Sequence, residues 1–289
     1  SGIEAEPTLD VPSDQLYVTT SGGFVHALRA SDGSLRWKTQ LSASISQPGA
    51  LSEDALYLVT DDDTVVALSR TDGTILWRYK REPRAGLQIA GHAGILLAKH
   101  RIFTGFSDGA IVSLSASDGR VQWLLDTTLD FVNLEDTEKG FVDVDTTPVL
   151  IGNVVYAASF LGGFYGIEAT SGAVTVRNPD LTGVTSLAGD DDSLVVASAN
   201  HGIVCLDVPS LTTRWQREIR DGAPSALRIR NRRVFFTESR GAFLAFDLRD
   251  GRERARLQTE HGFSATPSMT DHVGFLLGNA GVLYAFLYE

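Results

Sequence analysis

The stretch Val25-His26-Ala27-Leu28-Arg29-Ala30-Ser31-Asp32-Gly33-Ser34-Leu35-Arg36-Trp37 reads as an apolar run, a Ser-Asp-Gly turn and a second run that ends in tryptophan. The same order returns as Val65-Val66-Ala67-Leu68, Thr71-Asp72-Gly73 and Trp77, and again as Ile111-Val112-Ser113-Leu114, Ser117-Asp118-Gly119 and Trp123. A further short run precedes each copy: Leu16-Tyr17-Val18, Leu56-Tyr57-Leu58 and Ile102-Phe103-Thr104. Fainter copies follow. The fourth has Val154-Val155-Tyr156, Phe164-Tyr165-Gly166-Ile167 and Ser171-Gly172, with Val176 at the tryptophan position. The fifth has Leu194-Val195-Val196, Ile203-Val204-Cys205-Leu206 and Trp215. The sixth has Val234-Phe235-Phe236, Phe243-Leu244-Ala245-Phe246 and Asp250-Gly251, with Ala255 in place of tryptophan. The seventh stops after Val273-Gly274-Phe275 and Val282-Leu283-Tyr284-Ala285-Phe286, so its outer strand is missing.

Short β-branched and aromatic runs between Gly, Asp and Ser turns are the signature of strands joined by hairpins. The Asp-Gly step falls between the third and fourth runs, where a tight turn needs a residue that accepts positive φ. Four strands in roughly 40 residues is the period of a β-propeller blade. Such a sheet cannot bury both its faces alone, so neighbouring blades must stack, with the tryptophans packed against the next blade. The expected fold is all-β: one β-propeller domain over residues 1–289 with seven visible blades, the last lacking its outer strand.

Composition narrows the function. The 289 residues are 43% hydrophobic and 21% charged, too apolar for disorder, and the formal net charge of −11 disfavours phosphate-driven binding to nucleic acid or anionic lipid. With Cys205 as the one cysteine, an intramolecular disulfide is excluded. No apolar run reaches the ~20 residues that span a bilayer, and the segment from Ser1 has no signal-peptide pattern.

The Ala-Leu-x-Ala-x-[Thr/Ser/Asp]-Gly-x-x-x-Trp pattern resembles the pyrroloquinoline-quinone (PQQ)-type propeller repeat over nearly the whole chain. Within that group, Asp143-Val144-Asp145-Thr146-Thr147-Pro148-Val149 followed by Val154-Val155-Tyr156-Ala157 is similar to the corresponding segment of the BamB family of outer-membrane assembly lipoproteins. The resemblance implies a non-enzymatic periplasmic scaffold, peripheral to the outer membrane, without cofactor or metal. Its implied partners are the periplasmic domains of a BamA-like barrel-forming subunit and unfolded outer-membrane protein clients, with a membrane link only through a lipid anchor absent from these residues. It also implies eight blades, so the seven repeats represent either a seven-bladed variant or a chain whose N-terminal part lies outside this sequence.

The longest departure from the repeat lies between Trp123 and Asp143 and carries Leu129, Phe131, Val132, Leu134, Lys139 and Phe141 among acidic residues. Long loops with apolar tips are commonly functional. The family places part of its contact to the barrel subunit in a loop just before the Asp-Val-Asp-Thr-Thr-Pro stretch, so both readings point to one place. The alternative is an ordered loop that packs its aromatics back on the propeller. Asp190, Asp191 and Asp192, one blade further on, are a second candidate for partner contact; like Asp61-Asp62-Asp63, they are also explained by turn chemistry. Arg228, Arg230 and Arg232 alternate along an expected inner strand, which would put three cations on one face, to line a channel or to pair with carboxylates.

Catalysis finds no seat in the sequence. A quinoprotein dehydrogenase would need about twice this length and an acidic calcium and quinone site. The histidines His26, His92, His100, His201, His261 and His272 show no metal-ligand spacing, and no nucleophile elbow or phosphate loop is present. Two other readings remain: an extracytoplasmic propeller that senses a small molecule or glycan, and a generic protein-interaction platform.

Overall fold

A computed structural model of the chain describes residues 2–82, 93–130, 142–263, 265–270 and 272–288. The protein is all-β and has the β-propeller fold, and its described residues form seven antiparallel sheets in chain order. Each sheet is a meander in which consecutive strands are hydrogen-bonded neighbours. Six sheets have four strands and the seventh has three, as the repeats require. Among the described residues the one helical segment is a 3-10 turn, Thr127–Asp130.

The chain divides into two compact units, Ser1–Arg177 and Asn178–Glu289. The first holds sheets 1 to 4. In sheet 1 the strands are Thr8–Asp10, Gln15–Thr19, Phe24–Arg29 and Leu35–Gln40; sheet 2 has Ala50–Leu51, Ala55–Thr60, Thr64–Ser69 and Ile75–Lys80. Sheet 3 has Leu96–Ala98, Arg101–Gly105, Ala110–Ser115 and Val121–Asp126, and sheet 4 has Val149–Ile151, Val154–Ser159, Gly163–Glu168 and Val174–Asn178. The second unit holds sheets 5 to 7. Their strands are Val184–Asp190, Ser193–Ser198, Gly202–Asp207 and Thr213–Arg217; then Arg228–Arg230, Arg233–Thr237, Ala242–Asp247 and Glu253–Gln258; then Ser268–Met269, Val273–Leu277 and Leu283–Leu287.

The core lies between sheets. Alternation along a strand sends neighbouring residues to opposite faces, so Ile102 of sheet 3 joins the cluster with Tyr57 and Ala67 of sheet 2, while Phe103 joins the one with Val155 and Tyr165 of sheet 4. The second and third strands of sheet 2 are accordingly buried almost throughout, which is why they read as continuous apolar runs.

Each tryptophan closes a joint to the following sheet. The indole N–H of Trp37 donates to the carbonyl of Arg70 at 2.9 Å, Trp77 to Ala116 at 3.0 Å, Trp123 to Ala169 at 2.9 Å and Trp215 to Leu248 at 2.8 Å. Each acceptor sits three residues before the turn glycine of the next sheet, and the ring lies against that glycine. A Cβ on Gly73, Gly119, Gly172 or Gly251 would approach the rings of Trp37, Trp77, Trp123 and Trp215 to 2.5, 2.6, 2.6 and 2.5 Å. The glycines therefore answer two demands, positive φ (72°, 72°, 77° and 65°) and contact with an indole.

Within a sheet the tryptophan pairs with a small residue of the third strand, which pairs in turn with the second strand: Tyr17, Ala27 and Trp37 form one such row, and Tyr57, Ala67 and Trp77 the next. Ser113 and Cys205 take the middle position beside Trp123 and Trp215. The small residue leaves room for ring contacts across it, 5.8 Å between the Tyr17 and Trp37 centroids and 5.9 Å between Tyr57 and Trp77. Burial raises the pKa of the Tyr17 hydroxyl to about 12 and that of the Cys205 thiol to about 11.

Sheets 6 and 7 meet without tryptophan. Here Phe235, Phe243, Phe286 and Tyr288 form an aromatic cluster, with Phe243 and Phe286 centroids 4.6 Å apart.

The glycine joint makes a quantitative prediction. Gly119→Ala meets both the positive-φ penalty and the Trp77 ring and is expected to destabilise the protein by about 3 to 5 kcal/mol. Gly33→Ala, whose Cβ meets nothing within 4 Å, bears only the backbone cost of about 1 to 2 kcal/mol. Chemical denaturation of the two variants checks the difference; equal losses would remove the ring from the explanation.

Candidate functional site

Of the loop residues singled out from the sequence, Leu129 lies among the described residues. Phe131, Val132, Leu134, Lys139 and Phe141 lie outside them. What the structure supplies is the stem on which the loop stands.

The outgoing side of the stem is Thr127, fully buried, whose N–H and hydroxyl both donate to the Gly109 carbonyl, at 3.1 and 2.7 Å. Thr128 is fixed by two hydrogen bonds to the Asp126 carboxylate, 2.9 Å from N–H and 2.6 Å from hydroxyl. Leu129 then projects, 81% exposed, at the last described position before the loop but one.

The returning side is the Asp-Val-Asp-Thr-Thr-Pro stretch. The Val144 N–H donates to the Phe106 carbonyl at 3.1 Å, and the Val144 side chain fills the space above Gly105, where a Cβ would collide with it. Ser159 Oγ donates to the Val142 carbonyl at 2.9 Å, and the Asp143 carbonyl accepts from the Phe160 N–H at 2.9 Å. Thr147 Oγ1 accepts from the Gly94 N–H at 3.0 Å. The stretch is thus an anchor, buried at Asp143, Val144 and Thr146, that ties the loop's return to sheets 3 and 4.

A polar network sits at the same end of sheet 3. Buried Asp63 of sheet 2 accepts from the Ser107 N–H at 3.2 Å and from the Ser107 hydroxyl. Arg81, just past the outer strand of sheet 2, donates its Nε to Asp108 at 2.8 Å, and Asp108 also accepts from the Ala110 N–H at 3.0 Å. Although burial opposes its charge, the Asp108 hydrogen bond holds the Arg81 pKa above its ordinary value. The sequence placed Asp61-Asp62-Asp63 in a turn, which they form; it gave no sign that Asp63 reaches the next sheet. Arg81 and Asp108 were missed altogether, because their pairing joins two repeats and belongs to neither.

The second candidate group is the turn between the first two strands of sheet 5. Asp190 ends the strand, Asp191 N–H donates to the Asp190 carboxylate at 2.9 Å, and Asp192 accepts from the Ser193 hydroxyl at 2.5 Å. Arg214 links Asp192 at 3.6 Å with Asp207 at 2.5 Å. The Ser193 hydrogen bond and then the nearby Arg214 charge lower the Asp192 pKa. Asp191 and Asp192 are exposed carboxylates on a braced turn.

The row of arginines needs correction. Arg228 and Arg230 lie on the inner strand of sheet 6, but Arg232 follows Asn231 in a turn where both residues have positive φ, 57° and 48°. The chain reverses there, so the period-2 row ends at two cations. In that unit a cavity of about 510 Å³ lies instead along the outer strands, lined by Arg217, Arg220, Glu238, Glu253 and Arg256 among others. Arg256 is already engaged with Glu253 at 2.8 Å, and Arg217 with the Gly251 carbonyl at 2.8 Å.

The profile of the family described as outer membrane protein assembly factor BamB matches residues 3–217. The chain belongs to the BamB family. It is 28% identical over 278 residues to the outer membrane protein assembly factor BamB of Salmonella typhimurium, covering 95% of this chain and 70% of that protein, and equally to that of Escherichia coli. The crystal structure of BamB from Moraxella catarrhalis superposes with a TM-score of 0.83 at 21% identity, over 99% of this chain and 85% of that one. The likeness to solved BamB is one of fold.

The stem can be tested by itself. Asp108→Ala leaves the half-buried Arg81 guanidinium without its carboxylate and the Ala110 N–H without an acceptor. A loss of about 2 to 4 kcal/mol is expected in chemical denaturation; a loss below about 0.5 kcal/mol would show that the network does not brace the stem.

Proposed function

We propose that the protein is a non-enzymatic scaffold of the outer-membrane β-barrel assembly machinery, located in the periplasm at the outer membrane. It binds the periplasmic domains of a BamA-like barrel-forming subunit. Membership of the BamB family supports the role in assembly. The observation that supports a contact surface is Leu129, exposed on a stem hydrogen-bonded on both sides to sheet 3. A stem hydrogen-bonded at both ends is already ordered, so binding there has no ordering cost for the stem itself. In this reading Phe131, Val132, Leu134, Lys139 and Phe141 supply the contact with Leu129, and Asp190, Asp191 and Asp192 add an acidic one.

The test is binding of the whole chain to purified periplasmic domains of the barrel-forming subunit from the same organism. Saturable binding is expected, weakened at least tenfold by Leu129→Asp combined with a Gly-Ser replacement of residues 131–141, and less by Asp191→Asn with Asp192→Asn. Absence of binding by the folded wild-type chain would overturn the reading.

A further inference from the structure

The first three joints of the chain follow one plan and differ in where they place an arginine. Between sheets 1 and 2 it is Arg70, the residue whose carbonyl accepts the Trp37 indole. Its Nε donates to the Tyr17 hydroxyl at 3.2 Å, and one Nη donates to the Ser52 and Glu53 carbonyls at 2.6 and 3.0 Å. The other Nη donates to the Asp10 carboxylate and, at 3.0 Å, to the Ser13 hydroxyl. Between sheets 3 and 4 the arginine comes from the opposite wall. There Arg101, first in the second strand of sheet 3, donates to the Ala169 and Thr170 carbonyls at 3.4 and 3.0 Å.

The joint between sheets 2 and 3 has neither. Ala116 stands where sheet 2 has Arg70, three residues before the turn glycine. Ala55 stands where sheet 3 has Arg101, each paired with a serine of the third strand, Ser69 and Ser115. With both positions cut back to alanine, a cavity of about 460 Å³ opens between the two sheets, against about 230 Å³ in the joint that holds Arg101.

The lining of the larger cavity describes its guest. Ala55, Tyr57 and Ala116 are buried, and Leu76 and Leu97 flank them with part of their apolar surface exposed. Tyr57 takes the place of Tyr17; its hydroxyl donates to the Ala116 carbonyl at 3.1 Å, and a hydroxyl that donates can still accept. Glu53 and Asp54 also line the cavity and are exposed. Among the described residues neither carboxylate has a hydrogen-bond or ion-pair partner. Glu53 lies two residues before the second strand of its sheet, the place that Ser13 holds beside Arg70. A carboxylate therefore stands where the filled joint offers the guanidinium a hydroxyl. An aliphatic stem on leucine and tyrosine, with a planar cation at two carboxylates, is what an arginine side chain satisfies.

We propose that the cavity between sheets 2 and 3 is a docking socket for an arginine side chain of a partner protein. The stem would pack on Leu76, Leu97 and Tyr57, and the guanidinium would pair with Glu53 and Asp54. The net charge of −11 favours a partner with a basic surface. A polypeptide source follows from the template, in which Arg70 enters the joint as a side chain whose backbone stays outside the guanidinium site. The socket does not depend on the scaffold reading, because its guest is defined by the cavity itself.

The test titrates the labelled full chain with an acetylated and amidated pentapeptide, arginine in the centre and glycine elsewhere, and follows amide resonances by NMR. Saturable shifts at Glu53, Asp54, Ala55 and Ala116 are expected. Citrulline in place of arginine keeps the shape without the charge and is expected to weaken binding at least tenfold. Lysine, which lacks the planar fork, is expected to weaken it at least fivefold. Ala116→Arg fills the socket from within, as Arg70 does in the preceding joint, and is expected to abolish peptide binding. Glu53→Gln with Asp54→Asn changes two exposed side chains and is expected to weaken binding at least tenfold; circular dichroism confirms that both variants fold. Binding unchanged by citrulline, by Ala116→Arg or by the double variant would overturn the proposal, as would equal binding of the lysine peptide. Shifts produced by agmatine but not by the peptide would overturn the polypeptide source. The loop stem and the barrel-forming subunit take no part, so failure here is separate from failure of the scaffold reading.

Discussion

An indole lying on a glycine, its N–H on a carbonyl three residues earlier, is the constraint on which the described sheets depend. Burying such a ring contributes about 3 to 5 kcal/mol, as large-to-small substitutions of buried aromatics show. The joint also has a direction. The tryptophan belongs to the outer strand of one sheet and the glycine to the third-to-fourth turn of the next, so a complete repeat, as in sheets 2 and 3, both gives and receives. That is why the repeat spans Ala-Leu, Asp-Gly and Trp as one sentence, although the tryptophan and its own glycine do not touch.

Where one half of the joint is lost, the sequence changes elsewhere too. Sheet 4 has Val176 at the tryptophan position, and the third-to-fourth turn of the next sheet in sequence carries Leu211 at positive φ in place of glycine. Sheet 6 has Ala255, and its contact with sheet 7 is carried by phenylalanines 235, 243 and 286. Asp and Ser remain in these turns because their side chains accept the N–H two residues on, as Asp32 does from Ser34 at 2.9 Å and Asp250 from Arg252 at 2.9 Å.

The fold was legible because its determinants are local and recur. Strand runs, turn glycines and the missing outer strand of the last sheet could all be read from spacing. Of what joins two repeats, the packing of each tryptophan on the next blade was read, but its glycine and carbonyl partners there were not. The small residue between two aromatics is visible as Ala27 or Ala67 but acquires its meaning only from cross-strand register, and Arg81 with Asp108 has no pattern at all. The arginine row failed at Arg232 because period-2 reasoning holds only while the strand continues, and Asn231 ends it. For the loop, the sequence marked the departure from the repeat, and the structure accounts for its stem: the Asp-Val-Asp-Thr-Thr-Pro stretch that carries the family resemblance is a buried anchor. The motif therefore identifies the family through its packing and does not name contact residues.

The most direct test of the joint is hydrogen exchange at the four indole N–H groups of the ¹⁵N-tryptophan-labelled chain. If each indole is locked onto the neighbouring sheet, the signals of Trp37, Trp77, Trp123 and Trp215 exchange far more slowly than free indole, and their protection disappears only with unfolding of the sheets they join. Rapid exchange of these indoles in the folded protein would contradict the account.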